Sequence, residues 1–185
     1  RRMGVMGMDK QLIRERLYQK YVEPTKKKRQ DYIGIEIEIP IVNLKKEAVD
    51  YQVVHTVTQH FLDPFGFRVI GRDEEGNVFS AVDDLSGDIL SYDCSYNNLE
   101  LSLGKGREVF TLYERFSRYY TFLKEKFEIY DYTLTGMGVN PYRTYNHKIP
   151  IQNGRYRMLF HHLNSYKRYS HLPMYFHDYP DFGLF

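Results

Sequence analysis

The chain has 185 residues, the size of one domain or of one domain with an appendage. Its 26 Lys and Arg against 24 Asp and Glu leave a net charge of +2, and 42% of its residues are hydrophobic. This excludes a disordered polyelectrolyte and gives no ground for nucleic-acid binding. No run approaches the roughly 18 apolar residues of a membrane span. A single cysteine, Cys94, excludes an internal disulfide and argues against a cysteine-based zinc site. A cytoplasmic protein that binds neither nucleic acid nor membrane is expected.

Asp9 is placed to cap a helix over 10–22, with Ile13, Leu17 and Tyr21 at helical spacing and Pro24 closing it. A basic run at 25–30 reads as a solvated connector. Residues 32–42 alternate strictly, with Ile33, Ile35, Ile37, Ile39 and Ile41 on one side, and form the clearest predicted strand. A helix is predicted over 46–62, with Val49, Val53, Val57 and Phe61 at i+4 steps, ended by Pro64 and Gly66. Strands follow at 67–71, 77–82, 89–93 and 98–103, with Gly104 and Gly106 ending the last. A long amphipathic helix is predicted over 107–127, a strand over 132–138 running into a Gly-rich turn, and a last helix over 155–170. The tail at 171–185 has no regular pattern. Consecutive hairpins favour an α+β fold, a largely antiparallel sheet with helices packed on one face. The 18 Tyr and 12 Phe, with no Trp, read mainly as core material and half-exposed rings.

The chemistry falls on two strands. Opposite the isoleucines, 32–42 carries Gly34, Glu36, Glu38 and Pro40, and the two glutamates point the same way, about 6 to 7 Å apart. The strand at 98–103 repeats the design, with Leu99, Leu101 and Leu103 on one side and Asn98, Glu100 and Ser102 on the other. If the apolar sides share one core, Glu36, Glu38 and Glu100 project from one surface. Such carboxylates suit a hard divalent ion, Mg²⁺ or Mn²⁺. Half-solvated strands also alternate in this way, so the pattern alone leaves an ion site and a wet face both open. Adjacent His161 and His162 point in different directions on a helix, and with His171 and His177 they lack zinc-site partners. Asp83, Asp84, Asp88 and Asp93 are spread over turns and read as solvated.

Four collinear segments resemble the glutamate–cysteine ligase family, in the branch shared by plant and bacterial enzymes. They are Gly34-Ile35-Glu36-Ile37-Glu38, Asn98-Leu99-Glu100-Leu101-Ser102, Gly136-Met137-Gly138-Val139-Asn140-Pro141 and Gly154-Arg155-Tyr156-Arg157-Met158. The last departs from the family's R-Y-x-x-M in having Met one place early. The resemblance spans about residues 31–166 and implies a glutamine-synthetase-like sheet, here incomplete. It implies an ATP-dependent ligase of the glutathione-biosynthesis type. Such enzymes phosphorylate the γ-carboxylate of glutamate, and an amine such as that of cysteine then attacks the acyl phosphate. By resemblance Glu36, Glu38 and Glu100 hold Mg²⁺ or Mn²⁺ at the phosphates of ATP. Arg155 meets a phosphate or a substrate carboxylate, and Tyr156 lines the same pocket. No side-chain nucleophile is needed, so Cys94 has no catalytic part.

Family members extend beyond the R-Y helix, so the chain is expected to be the N-terminal part of a ligase and not competent alone. The expected organisation is an N-terminal helix and connector at 1–30, the catalytic part at 31–170 and the tail at 171–185. An open sheet edge favours a homo-oligomer or a missing second segment. The alternative is a non-catalytic interaction or regulatory module on the same sheet.

Overall fold

Alternating isoleucines make one long strand, β1 (Ile33–Asn43), and the rest of the sheet is built around it. The computed structural model of the chain describes residues 9–27, 30–138, 140–142, 145, 146 and 149–165. Residues 1–32 and 33–185 form two separate units. In the first, Asp9 caps α1 (Lys10–Leu17) by accepting from the Gln11 amide at 2.9 Å. The chain then continues as a π-turn (Tyr18–Val22) and a 3₁₀ turn (Glu23–Lys26). Pro24 sits at the start of that 3₁₀ turn, where its missing N–H costs nothing, so it does not close the helix as predicted. No residue of these turns is buried.

The second unit has six strands. They are β1, β2 (Arg68–Arg72), β3 (Val78–Val82), β4 (Ile89–Tyr92), β5 (Asn98–Gly106) and β6 (Tyr132–Leu134). They pair antiparallel throughout in the order β2-β3-β4-β5-β1-β6, so the fold is α+β as expected. On one face lie Ile39, Ile41, Leu90, Tyr92, Leu99, Leu101 and Leu103, all buried. Against them pack α2 (Tyr51–Phe65) and α3 (Val109–Glu128). An aromatic cluster lies here: Phe61, Phe65, Phe67, Tyr119 and Phe122 meet edge-on or tilted, with centroids 4.7 to 6.1 Å apart. α4 (Gly154–Ser165) is the last described element.

Several boundaries differ from expectation for local reasons. α2 begins at Tyr51 because Asp50 caps it, its carboxylate accepting from the Gln52 amide at 2.9 Å. Its buried stripe is Val54, Val57, Thr58, Phe61 and Leu62. Val49 lies before the helix, buried, with its N–H bonded to Asn146. Pro64 is inside the last turn, and His60, which forfeits a bond to it, is exposed and can use water. Gly66, at φ +69°, ends the helix, and Phe67 N–H returns to the Leu62 carbonyl. β5 continues through both Gly104 and Gly106, and β6 stops at Leu134. The predicted extension of the last helix to 170 and the tail at 171–185 lie outside the described residues, as do Lys28, Arg29, Val139, His171 and His177.

Asp88 corrects the reading of the aspartates as solvated. It is buried and accepts from the Gly104 amide at 2.7 Å, the Tyr119 hydroxyl at 2.9 Å and Arg115 at 3.0 Å. Arg115 also donates to the Gly104 carbonyl at 2.8 Å. The carboxylate thus ties the turn before β4 to β5 and to α3. Asp84, by contrast, is exposed and paired with Arg68.

Candidate functional site

The sheet face opposite the two helices is polar, and strand register decides which side chains meet there. Glu38 lies opposite Glu100, and Glu36 opposite Ser102. Ser91 continues the first row from Glu100, and Ser80 continues it from Ser91. The Ile41 amide bonds to β5-side Asn97, whereas the Pro40 carbonyl accepts from Thr135 on the β6 side. By that parity Glu36 and Glu38 face β5 as non-hydrogen-bonded pairs, where Cα atoms stand about 4.5 Å apart and side chains are closest.

A hollow of about 390 Å³ opens on this face. Glu36, Glu100, Ser91, Ser102, Arg155 and Tyr156 line it, together with Phe79, Ser80, Ile89, Tyr92 and Asp93. Four of the five predicted site residues therefore border one cavity. The fifth, Glu38, shares their face, and one of its oxygens accepts from the Asn98 side-chain Nδ2 at 3.0 Å. Glu100 is half-buried and accepts from Ser102 at 2.6 Å, whereas Glu36 and Glu38 are exposed.

Arg155 and Tyr156 reach the hollow because the segment before them is pinned. Ile151 is buried, and its amide donates to the Cys94 carbonyl at 2.8 Å in the β4–β5 turn. The Gln152 carbonyl accepts from the Glu74 amide at 3.0 Å. Asn153 then caps α4 by accepting from the Tyr156 amide at 3.0 Å. One turn in, Arg157 forms a two-pronged ion pair with Glu74 at 2.5 and 2.6 Å. Tyr156 is buried, and its hydroxyl donates to Asp93 at 3.1 Å. Burial, with the Asp93 charge beside it, pushes that hydroxyl's pKa up, so it stays a protonated donor. The Arg155 guanidinium sits 5.7 Å from the Tyr156 ring centre and is exposed on the hollow's side.

Asp93 is the functional candidate that sequence reading missed. It lines the hollow and fixes Tyr156. Its only sequence signal was its place two residues beyond Ser91, on the wet side of the fourth strand. Cys94 is buried, with φ +63°, and its thiol is pushed up to about 12 by burial and the neighbouring Asp93 charge. It is inert at neutral pH. His161 and His162 are exposed on α4.

The donor set suits a hard cation in kind: three carboxylates on one face of two paired strands, with no ion-pair partner among the described residues. It is not a ready-made cage, for among the described residues no three His, Cys, Asp or Glu side chains converge to hold a metal. An ion seated here keeps much of its water, which is the habit of Mg²⁺ rather than of zinc. No helix among the described residues is long and apolar enough to cross a membrane. Compared with protein-family models, curated proteins and solved structures, the chain matches none.

Proposed function

We propose that the polar hollow is the phosphate end of an ATP-dependent carboxylate–amine ligase site, glutamate–cysteine ligase-like. The observation that carries the reading is the meeting of Glu36 and Glu100 with Arg155 and Tyr156 around one cavity. These residues come from three segments far apart in sequence, which belong to the four collinear segments that together resemble the family. In this reading Glu36, Glu38 and Glu100 hold Mg²⁺ or Mn²⁺ against the phosphates of ATP, and the ion supplies charge neutralisation at the transferring group. Arg155 offers a planar fork to a phosphate or to the substrate carboxylate. Tyr156, held by Asp93, forms a fixed wall that keeps the arginine's plane oriented. The substrates are glutamate and an amine acceptor, and the reading includes a cytoplasmic setting, where ATP is at hand.

The test is ADP release by the full-length protein with Mg²⁺·ATP. Release that depends on added glutamate, and that falls at least about a hundredfold in Glu36→Gln/Glu38→Gln, is expected for loss of metal-assisted charge stabilisation. Glutamate-independent release, or equal rates in the variant, rejects the reading. In that case the exposure of Glu36 and Glu38, with no metal cage near them among the described residues, favours the non-catalytic interaction module.

A further inference from the structure

β1 is paired unequally on its two sides. Toward β5 it is matched from Ile33 to Pro40, with one register shift between Ile33 and Ile35 where the extra residue falls on β5. Toward β6 it is matched only from Ile41 to Asn43, with one more bond from the Thr135 amide to the Pro40 carbonyl. Because residues on a strand alternate in the direction of their N–H and C=O groups, those of Gly34, Glu36 and Glu38 point the same way as those of Pro40, away from β5. Among the described residues no strand pairs with them there. All three residues are exposed, and a Cβ added at Gly34 would meet nothing within 4 Å. The apolar side of the same stretch is also incompletely covered. Ile33 is exposed and Ile35 and Ile37 are half-buried, while Ile39 and Ile41 further along are fully buried. Natural sheets usually blunt such an edge against self-pairing with charged side chains, a proline or a bulge. Here the charge is supplied by Glu36 and Glu38 alone, which fixes the sign that a paired segment must offer.

We propose that the free edge of β1 at 34–38 is a strand-addition site, and that its occupant is an extended partner segment with basic residues at every second position and apolar ones between. Main-chain bonds to Gly34, Glu36 and Glu38 would hold the segment. Its basic side chains would stand beside Glu36 and Glu38, which have no cationic partner among the described residues, and its apolar ones would cover Ile35 and Ile37. Charge selects against a second copy of this chain: two β1 edges laid together would set glutamates against glutamates. The proposal does not rest on the ligase reading, but it uses the same Glu36 and Glu38, so a bound segment and a metal ion would compete for these carboxylates.

Amide hydrogen exchange in the ¹⁵N-labelled chain tests it. In the free chain the amides of Gly34, Glu36 and Glu38 should exchange fast and those of Ile35, Ile37 and Ile39 slowly. Adding a blocked Val-Lys-Val-Lys-Val-Lys-Val peptide should slow the three fast amides by at least about tenfold, whereas the matching Val-Glu peptide should not. In Glu36→Lys/Glu38→Lys the preference should reverse, the Val-Glu peptide now protecting Gly34. Three results overturn the proposal. They are slow exchange of these amides in the dilute free chain, protection that rises with protein concentration without peptide, and equal protection by either peptide or by neither.

Discussion

Asp88 ties the turn before β4 to β5 and α3. It is a buried carboxylate held by one backbone amide, one tyrosine hydroxyl and one arginine. Asp88→Ala leaves Arg115 partly buried without its carboxylate and frees the Gly104 amide, so a loss of about 3 kcal/mol in unfolding free energy is expected by urea denaturation. A change within about 0.5 kcal/mol, the range of ordinary surface sites, would mean that the network is decorative. His55 gives a second expectation at this scale. Burial lowers its pKa, against the pull of the Asp73, Glu75 and Asp50 charges. Its Nδ1 is buried without a partner, and its ring stands edge-on to Tyr96 at 4.4 Å. Because the folded state binds the proton less well than the unfolded chain, this residue's contribution to stability should fall as pH drops through and below about 6.5. Thermal melts between pH 7.5 and 5 should show that slope in the native chain and a shallower one in His55→Gln. Of the residues at the site, the three glutamates were legible because strand alternation fixes direction by parity alone. Asp88 and Asp93 were not, because nothing local distinguishes an aspartate in a turn that faces water from one that faces a tyrosine thirty or sixty residues away.

At the scale of elements, the sheet was largely readable and the helix ends were not. Every predicted strand from 32 to 103 is present, since β-branched and leucine-rich alternation bounded by turn residues is a two-residue signal. Helix ends depend on capping choices that compete over a few residues, as when Asp50 rather than an earlier residue starts α2. The end of β5 turned on a close approach instead of propensity. Gly104 and Gly106 suggested a stop, yet both lie within the strand, and Gly104 is there because the Ser86 carbonyl leaves no room for a side chain. A Cβ at Gly104 would stand 2.0 Å from that oxygen. Gly104→Ala should therefore push the turn before β4 off β5, disturb the Asp88 bonds and lower stability by about 2 to 3 kcal/mol. An alanine variant as stable as the parent in denaturant titration would show that the turn yields freely.

Taken whole, the molecule brings together groups that no single motif contains. β1 and β5 are neighbours although some sixty residues separate their partners Glu38 and Asn98, because the intervening helix and three strands fold out and back to place β5 against β1. α4 is pinned beside them by Ile151, Gln152, Tyr156 and Arg157 through contacts with the turns at 73–74 and 93–94. Those anchors were invisible in sequence. An isoleucine amide meeting the carbonyl of Cys94, or an arginine meeting Glu74, depends on the finished topology and not on local pattern. The resemblance supplied the expectation that Arg155 and the glutamates belong together, and the register and anchors bring Arg155 to one hollow with Glu36 and Glu100. What remains to be tested is whether that hollow holds a metal-bound nucleotide. Mn²⁺ reports this directly, since its electron paramagnetic resonance signal is lost from the free pool on binding. Titrated with ATP into the full-length protein, Mn²⁺ should bind, and Glu36→Gln/Glu38→Gln/Glu100→Gln should weaken it at least about tenfold, or 1.4 kcal/mol, while circular dichroism stays unchanged. No binding by the parent protein, or equal binding by a folded triple variant, would contradict the account.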